Sequence, residues 1–209
     1  MRTIFWNVDT QYDFMRPDGK LYVQGAERIE GNLAKLTELA ATKGIKVVNT
    51  ADWHNKDSKE LSENPDFIQT FPEHCMENTL GAKFVPATSP QNAYWIDWRE
   101  YYLNSKEIEE RRNIVLFKDK FDVFAGTPHA DSVLEILAPE RVVVYGVATN
   151  VCVNDAVLGL LERRVEVYVP IDSIKELPNL PLPYETWKAR GAVLTTTERV
   201  YRMLQGERA

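Results

Sequence analysis

Four short stretches of this 209-residue chain place a reactive side chain directly after an apolar run. Asp9 follows Thr3-Ile4-Phe5-Trp6-Asn7-Val8, Asp52 and His54 follow Ile45-Lys46-Val47-Val48, Lys118 follows Ile114-Val115-Leu116-Phe117, and Cys152 follows Arg141–Val147. The set is an acid, two metal-capable groups, a cation and a thiol. Cys152 comes after the small and polar residues Gly146-Val147-Ala148-Thr149-Asn150, at what reads as a strand-to-helix turn. A helix start offers unpaired N–H groups and partial positive charge, which favour a thiolate and can hold an oxyanion. With Lys118 lowering the thiol pKa and Asp9 taking and returning its proton, these residues suit nucleophilic attack on an acyl carbon. Each has an ordinary alternative: a cysteine filling core, a carboxylate closing a turn, a solvated lysine. Their joint position at the ends of strands argues for chemistry.

Asp52-Trp53-His54 sets two metal-capable side chains at i and i+2, on one side of an extended segment. His74 can close the site from a loop, and one Asp with two His suits zinc, iron or manganese with positions left for water. The third histidine, His129 in Thr127-Pro128-His129-Ala130, reads as helix-entry chemistry and receives no role.

The elements that must position these groups follow from hydrophobic periodicity. Strands are expected at Thr3–Val8, Ile45–Val48, Ile114–Phe117, Arg141–Val147, Val165–Val169 and Ala192–Leu194. Helices are expected at 26–41, near 99–111, and at 130–138, 153–163, 182–190 and 197–204. Residues 53–113 form a long irregular loop region with several prolines and clustered aromatics. Strands alternating with helices predict an α/β protein: a three-layer, doubly wound, mainly parallel six-stranded sheet with helices on both faces. Ligands are then expected beyond the carboxyl ends of the strands. The length suits one domain over 1–209.

A formal net charge of -6, with both signs interspersed, excludes a basic nucleic-acid footprint and an anionic membrane surface as partners. It suits a small neutral or cationic ligand. No run approaches the roughly 20 apolar residues of a membrane span, and the first residues lack the apolar content of a signal peptide, so a cytoplasmic protein is expected. Two cysteines, Cys75 and Cys152, in unlike contexts predict free thiols.

These motifs resemble the isochorismatase-like cysteine hydrolases, and among them the metal-bearing nicotinamidases. The resemblance is carried by Val8-Asp9-Thr10-Gln11-Tyr12-Asp13-Phe14, Thr50-Ala51-Asp52-Trp53-His54, Phe71-Pro72-Glu73-His74-Cys75, Thr79-Leu80-Gly81-Ala82, Lys118 with Phe121 and Phe124, and above all Gly146-Val147-Ala148-Thr149-Asn150-Val151-Cys152-Val153. It implies a single isochorismatase-like domain and an Asp9, Lys118 and Cys152 triad. It also implies a cis peptide before Ala148 and an oxyanion hole from the turn at Ala148 with the Cys152 N–H. One divalent metal, zinc before iron or manganese, would sit on Asp52, His54 and His74, with Glu60, Glu63 and Asp66 as candidates for a fourth ligand. Phe14 and Phe71 would sandwich a pyridine ring. The implied activity is nicotinamide hydrolysis in NAD salvage, with hydrolysis of another small amide or carbamoyl compound as the alternative and a homo-oligomer as an open expectation.

Two departures stand out. The segment Lys118-Asp119-Lys120-Phe121-Asp122-Val123-Phe124 is short, with Asp122 where such enzymes usually carry serine, and Tyr94-Trp95-Ile96-Asp97-Trp98 matches no motif. Isochorismate chemistry has no use for Asp52-Trp53-His54. A phosphoryl-transfer site would want a second carboxylate at position 11, which is Gln, and a silent binding module would have lost a triad position. Replacing Cys152 by Ala is expected to abolish amide turnover while leaving metal binding intact, as turnover assays and metal titration would show.

Overall fold

The computed structural model describes residues 1–206. In chain order the elements are strand β1 (Thr3–Val8), the short helix α1 (Tyr12–Met15), a 3-10 turn leading into α2 (Glu30–Lys43), β2 (Val47–Asp52), β3 (Tyr94–Ile96), α3 (Ser105–Glu110) and β4 (Asn113–Lys118). They continue with α4 (Val123–Gly126), α5 (Ala130–Leu137), β5 (Arg141–Val147), α6 (Cys152–Glu162), β6 (Glu166–Pro170), β7 (Ile174–Lys175), α7 (Tyr184–Ala189), β8 (Val193–Thr195) and α8 (Thr197–Gln205). The strands form one sheet in the order β3-β4-β2-β1-β5-β6-β8, with β7 off this path and paired with β5. Every pairing is parallel.

Central strands of such a sheet are covered on both faces, and β2 and β5 accordingly bury nearly every residue. Helix α2 packs against α8 on one side, while α3, α4, α5 and α6 pack among themselves on the other. The face α2 turns inward carries Leu33, Leu36, Leu39 and Ala40, the three-and-four spacing of a helical stripe. Each such leucine contributes about 1.5–3 kcal/mol on burial. The helix stops at Gly44, which adopts φ 65° and donates its N–H to the Ala40 carbonyl. No helix among the described residues is long and apolar enough to cross a membrane.

The sheet is wider than the six expected strands, for a physical reason at each addition. Tyr94-Trp95-Ile96 is the parallel edge strand β3. Three residues leave no room for a period-two signal, and Trp95 is held by aromatic contact with Phe117 at 5.5 Å rather than by burial. The two-residue β7 pairs with β5 past the end of β6 and likewise has no readable pattern. Strand β2 runs on from Val48 through Asp52, because Asn49 and Thr50 find buried partners in Asn7 and Asp9. Within 99–111 only Ser105–Glu110 is helical, entered where the Asn104 side chain accepts from the Glu107 N–H. His129 does stand at the entry to α5, but its ring nitrogen Nε2 pairs with the Glu100 carbonyl at 2.9 Å instead of capping the helix.

Asp122 has a local role: its carboxylate accepts from the Phe124 N–H at 2.9 Å and starts α4. It also faces Asp155 on α6. Burial, and after it the Asp122 charge, pushes the Asp155 carboxyl up to about 6. The folded protein therefore holds this proton more tightly than the unfolded chain does. The stability so gained is full at low pH and is lost as pH rises from about 4 through 6. Asp155→Asn is expected to remove this loss, raising stability at pH 7.5 by about 1 kcal/mol once partial exposure is allowed for. Urea unfolding of both proteins at pH 4.5 and 7.5 would show the difference.

Candidate active site

Strands β4, β2, β1 and β5 are consecutive neighbours in the sheet, so their carboxyl ends converge. Asp52 is in register with Lys118, and Val8 with both Thr50 and Gly146. Gly146 is required here: a Cβ on it would lie 2.0 Å from the Val8 carbonyl oxygen, and its φ is 122°. Asp9, with φ 49°, turns the chain out of β1. Gln11 can then reach back, its amide donating to the Asp52 carbonyl at 2.8 Å and accepting from the Asp52 N–H at 2.8 Å.

Asp9, Lys118 and Cys152 are brought together and buried. Asp9 Oδ1 accepts from the Thr50 hydroxyl at 2.6 Å. Asp9 Oδ2 lies 3.0 Å from Lys118 Nζ. The Lys118 ammonium also donates to Asp52 Oδ1 and to the Lys120 carbonyl. A carboxylate oxygen each from Asp9 and Asp52 and the Cys152 sulfur all lie within 4.8 Å of one another. Burial alone would lower the Lys118 pKa, but the Asp52 and Asp9 charges outweigh it and hold the amine charged. Burial pushes the Cys152 thiol well up, against the pull of Lys118, and burial also raises Asp9 above the ordinary carboxylate range. The Val147–Ala148 peptide is cis, and the Ala148 carbonyl accepts from the Val151 and Val153 N–H groups. Cys152 opens α6, so its own N–H has no carbonyl within the helix.

Asp52, His54 and His74 also converge, and Glu60 joins them: one ligand atom from each lies within 4.8 Å of the others. His74 Nε2 is 3.4 Å from Asp52 Oδ2, and His54 Nε2 is 3.9 Å from Asp52 Oδ2 and 4.0 Å from Glu60 Oε1. Neither ring nitrogen of the buried His54 has a hydrogen-bond partner. Such orphaned nitrogens are costly unless a ligand takes them. His74 Nδ1 is paired with the Pro72 carbonyl at 2.7 Å, which leaves Nε2 free toward the cluster. Two imidazoles and two carboxylates fit a divalent cation, zinc among them. Of the three candidates for a fourth ligand, Glu63 is exposed, and Asp66 spends its carboxylate on the Ile68, Gln69 and Thr70 N–H groups of its own loop. Only Glu60 reaches the cluster. Burial, then the Asp52 charge, pushes its carboxyl up to about 8, and burial holds His54 down to about 4.

Beyond the cluster lies a cleft of about 360 Å³, including its open mouth, that reaches Cys152 and Ala148. Phe14 and Phe71 line it, both meeting the His74 ring, at centroid distances of 5.4 and 6.3 Å. Sequence reasoning did not assign Leu21, Val23, Phe121 and Leu177 to the cleft. Phe121 could have been found from its place three residues after Lys118. Leu177 carries no local signal: it is held by Asn150, whose amide donates to the Leu177 carbonyl and accepts from its N–H. Both cysteines are free, and Cys75 is buried in the loop without reaching the cleft.

The family model Isochorismatase domain matches residues 3–199, and the chain belongs to that family. Among its relatives, a nicotinamidase of Acinetobacter baylyi is 28% identical over 188 residues, covering 81% of this chain and 79% of the relative. The pyrazinamidase of Pyrococcus horikoshii, solved in complex with zinc, superposes with a TM-score of 0.73 at 25% identity over 94% of this chain and 99% of that one. N-carbamoylsarcosine amidase from Thermoplasma acidophilum gives 0.73 at 20% identity over 95% and 98%.

Lys118→Met would leave Asp9 and Asp52 facing each other in a buried site without their counter-charge. The expected cost is about 3–5 kcal/mol, the range for breaking a buried ion pair from one side. Urea unfolding of the metal-free proteins at pH 7.5 would measure it.

Proposed function

We propose that this hydrolase is a metal-containing cysteine amidohydrolase that converts nicotinamide and water to nicotinate and ammonia through a Cys152 thioester. The observation that carries the reading is one cleft lined by Cys152, by aromatic walls, and by Asp52, Glu60 and His74 of the cation cluster, with Asp9 and Lys118 buried beside Cys152. The nicotinamidase of Acinetobacter baylyi and the zinc-bound pyrazinamidase of Pyrococcus horikoshii support it. None of the cleft's lining residues is an arginine or a lysine. Away from the cation cluster a substrate carboxylate would therefore meet no counter-charge, which favours a neutral aromatic amide over a carbamoyl amino acid.

In this reading Asp52, His54, Glu60 and His74 hold the cation, which when bound supplies a Lewis-acid anchor for a ring nitrogen. Phe14 and Phe71 flank the ring. Asp9 takes the Cys152 proton as the sulfur attacks the carboxamide carbon, and the Lys118 charge stabilises the anionic pair that results. The N–H groups of Ala148 and Cys152 receive the oxyanion. The C–N bond breaks as Asp9 passes its proton to the leaving nitrogen, giving ammonia and the thioester. Water then adds to the thioester, its proton going through Asp9 to the departing Cys152 sulfur.

The test is ammonia release from nicotinamide against benzamide, N-carbamoylsarcosine and aliphatic amides, before and after chelation. Nicotinamide is expected to be turned over fastest, with activity lost on chelation and restored by zinc. Faster turnover of a non-aromatic amide, unchanged by chelation, would replace the nicotinamide assignment with that of another small-amide hydrolase.

A further inference from the structure

Glu60 is attached to the cleft at three points. Its backbone carbonyl accepts from the Phe71 N–H at 2.8 Å. Its carboxylate oxygen Oε2 accepts from the Phe121 N–H at 2.7 Å, and Oε1 faces the cation cluster, 4.0 Å from His54 Nε2. Phe71 and Phe121 meet edge to face, with centroids 6.2 Å apart at 75°, and both line the cleft. One buried residue therefore holds two aromatic walls and reaches the candidate metal site with the same carboxylate. Phe121 belongs to the short connection between β4 and α4, and the bond to Glu60 and the ring contact with Phe71 tie it to the loop that carries the histidines.

We propose that Glu60 is a positioning residue that couples cation occupancy to the setting of the Phe121 wall. A cation and a flat aromatic amide then bind cooperatively even when the amide cannot touch the cation. The inference rests on the amide-hydrolase reading of the cleft. A carboxylate is a rigid plane, so engaging Oε1 on a cation fixes where Oε2 points. That orders the Phe121 N–H bond and the ring beyond it. An aromatic ligand arriving at a wall already ordered loses less conformational entropy on binding. The coupling is reciprocal, so the ligand must tighten cation binding by the same factor.

Benzamide isolates this route, because it has the ring and the amide but no ring nitrogen to meet the cation. In Cys152→Ala protein, benzamide is expected to bind about fivefold or more tightly with zinc than after chelation, the lower end of ordinary coupling. Zinc affinity should rise by the same factor when benzamide is present. Glu60→Ala should bring both ratios to one. Glu60→Gln keeps an acceptor for the Phe121 N–H without the charge, so it should weaken zinc binding and lower the benzamide ratio at a fixed zinc concentration. Amide hydrogen exchange at Phe121 needs neither a variant nor a bound amide, and zinc should slow it in protein that retains Glu60. Phe121 exchange indifferent to zinc, a benzamide ratio of one with Glu60 present, or a ratio that persists in Glu60→Ala would each overturn the coupling. Zinc-dependent nicotinamide turnover beside any of these results would leave the functional reading standing. Loss of that turnover with coupling intact would do the reverse.

Discussion

The site depends on one buried ammonium. Lys118 lies without solvent contact between the carboxylates of Asp9 and Asp52, each from a different strand. None of the three charges could be buried alone; together they satisfy one another at the carboxyl edge of β1, β2 and β4. Asp52 turns one oxygen to Lys118 and the other to His74 and His54. The Asp9–Lys118–Cys152 group and the candidate cation cluster thus share a single carboxylate.

Around that ion pair, the segment between β2 and β4 is irregular without being loose. Isolated bridges pair His54 with Met76, Leu61 with Phe71 and Gln11 with Phe84. Asp13 accepts from the backbone N–H groups of Cys75 and Lys20 at 2.7 and 3.1 Å, anchoring the far side of the histidine loop to the start of the chain. Side-chain oxygens here do what a ladder does elsewhere in the sheet. This is how two imidazoles and two carboxylates stay aimed at one point from a segment with little regular structure.

The division between what could and could not be read from the sequence follows from this. Asp9, Lys118 and Cys152 were legible because long apolar runs announce where a buried strand stops. Asp52, His54 and His74 were legible because few residue types bind metals and only three histidines occur. Glu60 could not be separated from Glu63 and Asp66, since the choice is made by how the loop folds back on Phe71. Strands β3 and β7 are too short to show a period. Leu177 is placed by Asn150, a contact spanning 27 positions that no local pattern reveals.

The sheet order also governs when such a site can come into existence. Strand β1 is flanked by β2 and by β5, and β5 lies more than 130 residues further along the chain. At synthesis rates of about 5–20 residues per second, β1 emerges roughly 7–27 seconds before its second neighbour is made. For that interval one edge of Ile4, Phe5 and Trp6 has no strand to pair with, an apolar template of the kind that invites wrong partners. Asp9 follows β1 and Cys152 follows β5, the two strands whose pairing closes that edge, so these side chains are brought together only with the last central contact of the sheet.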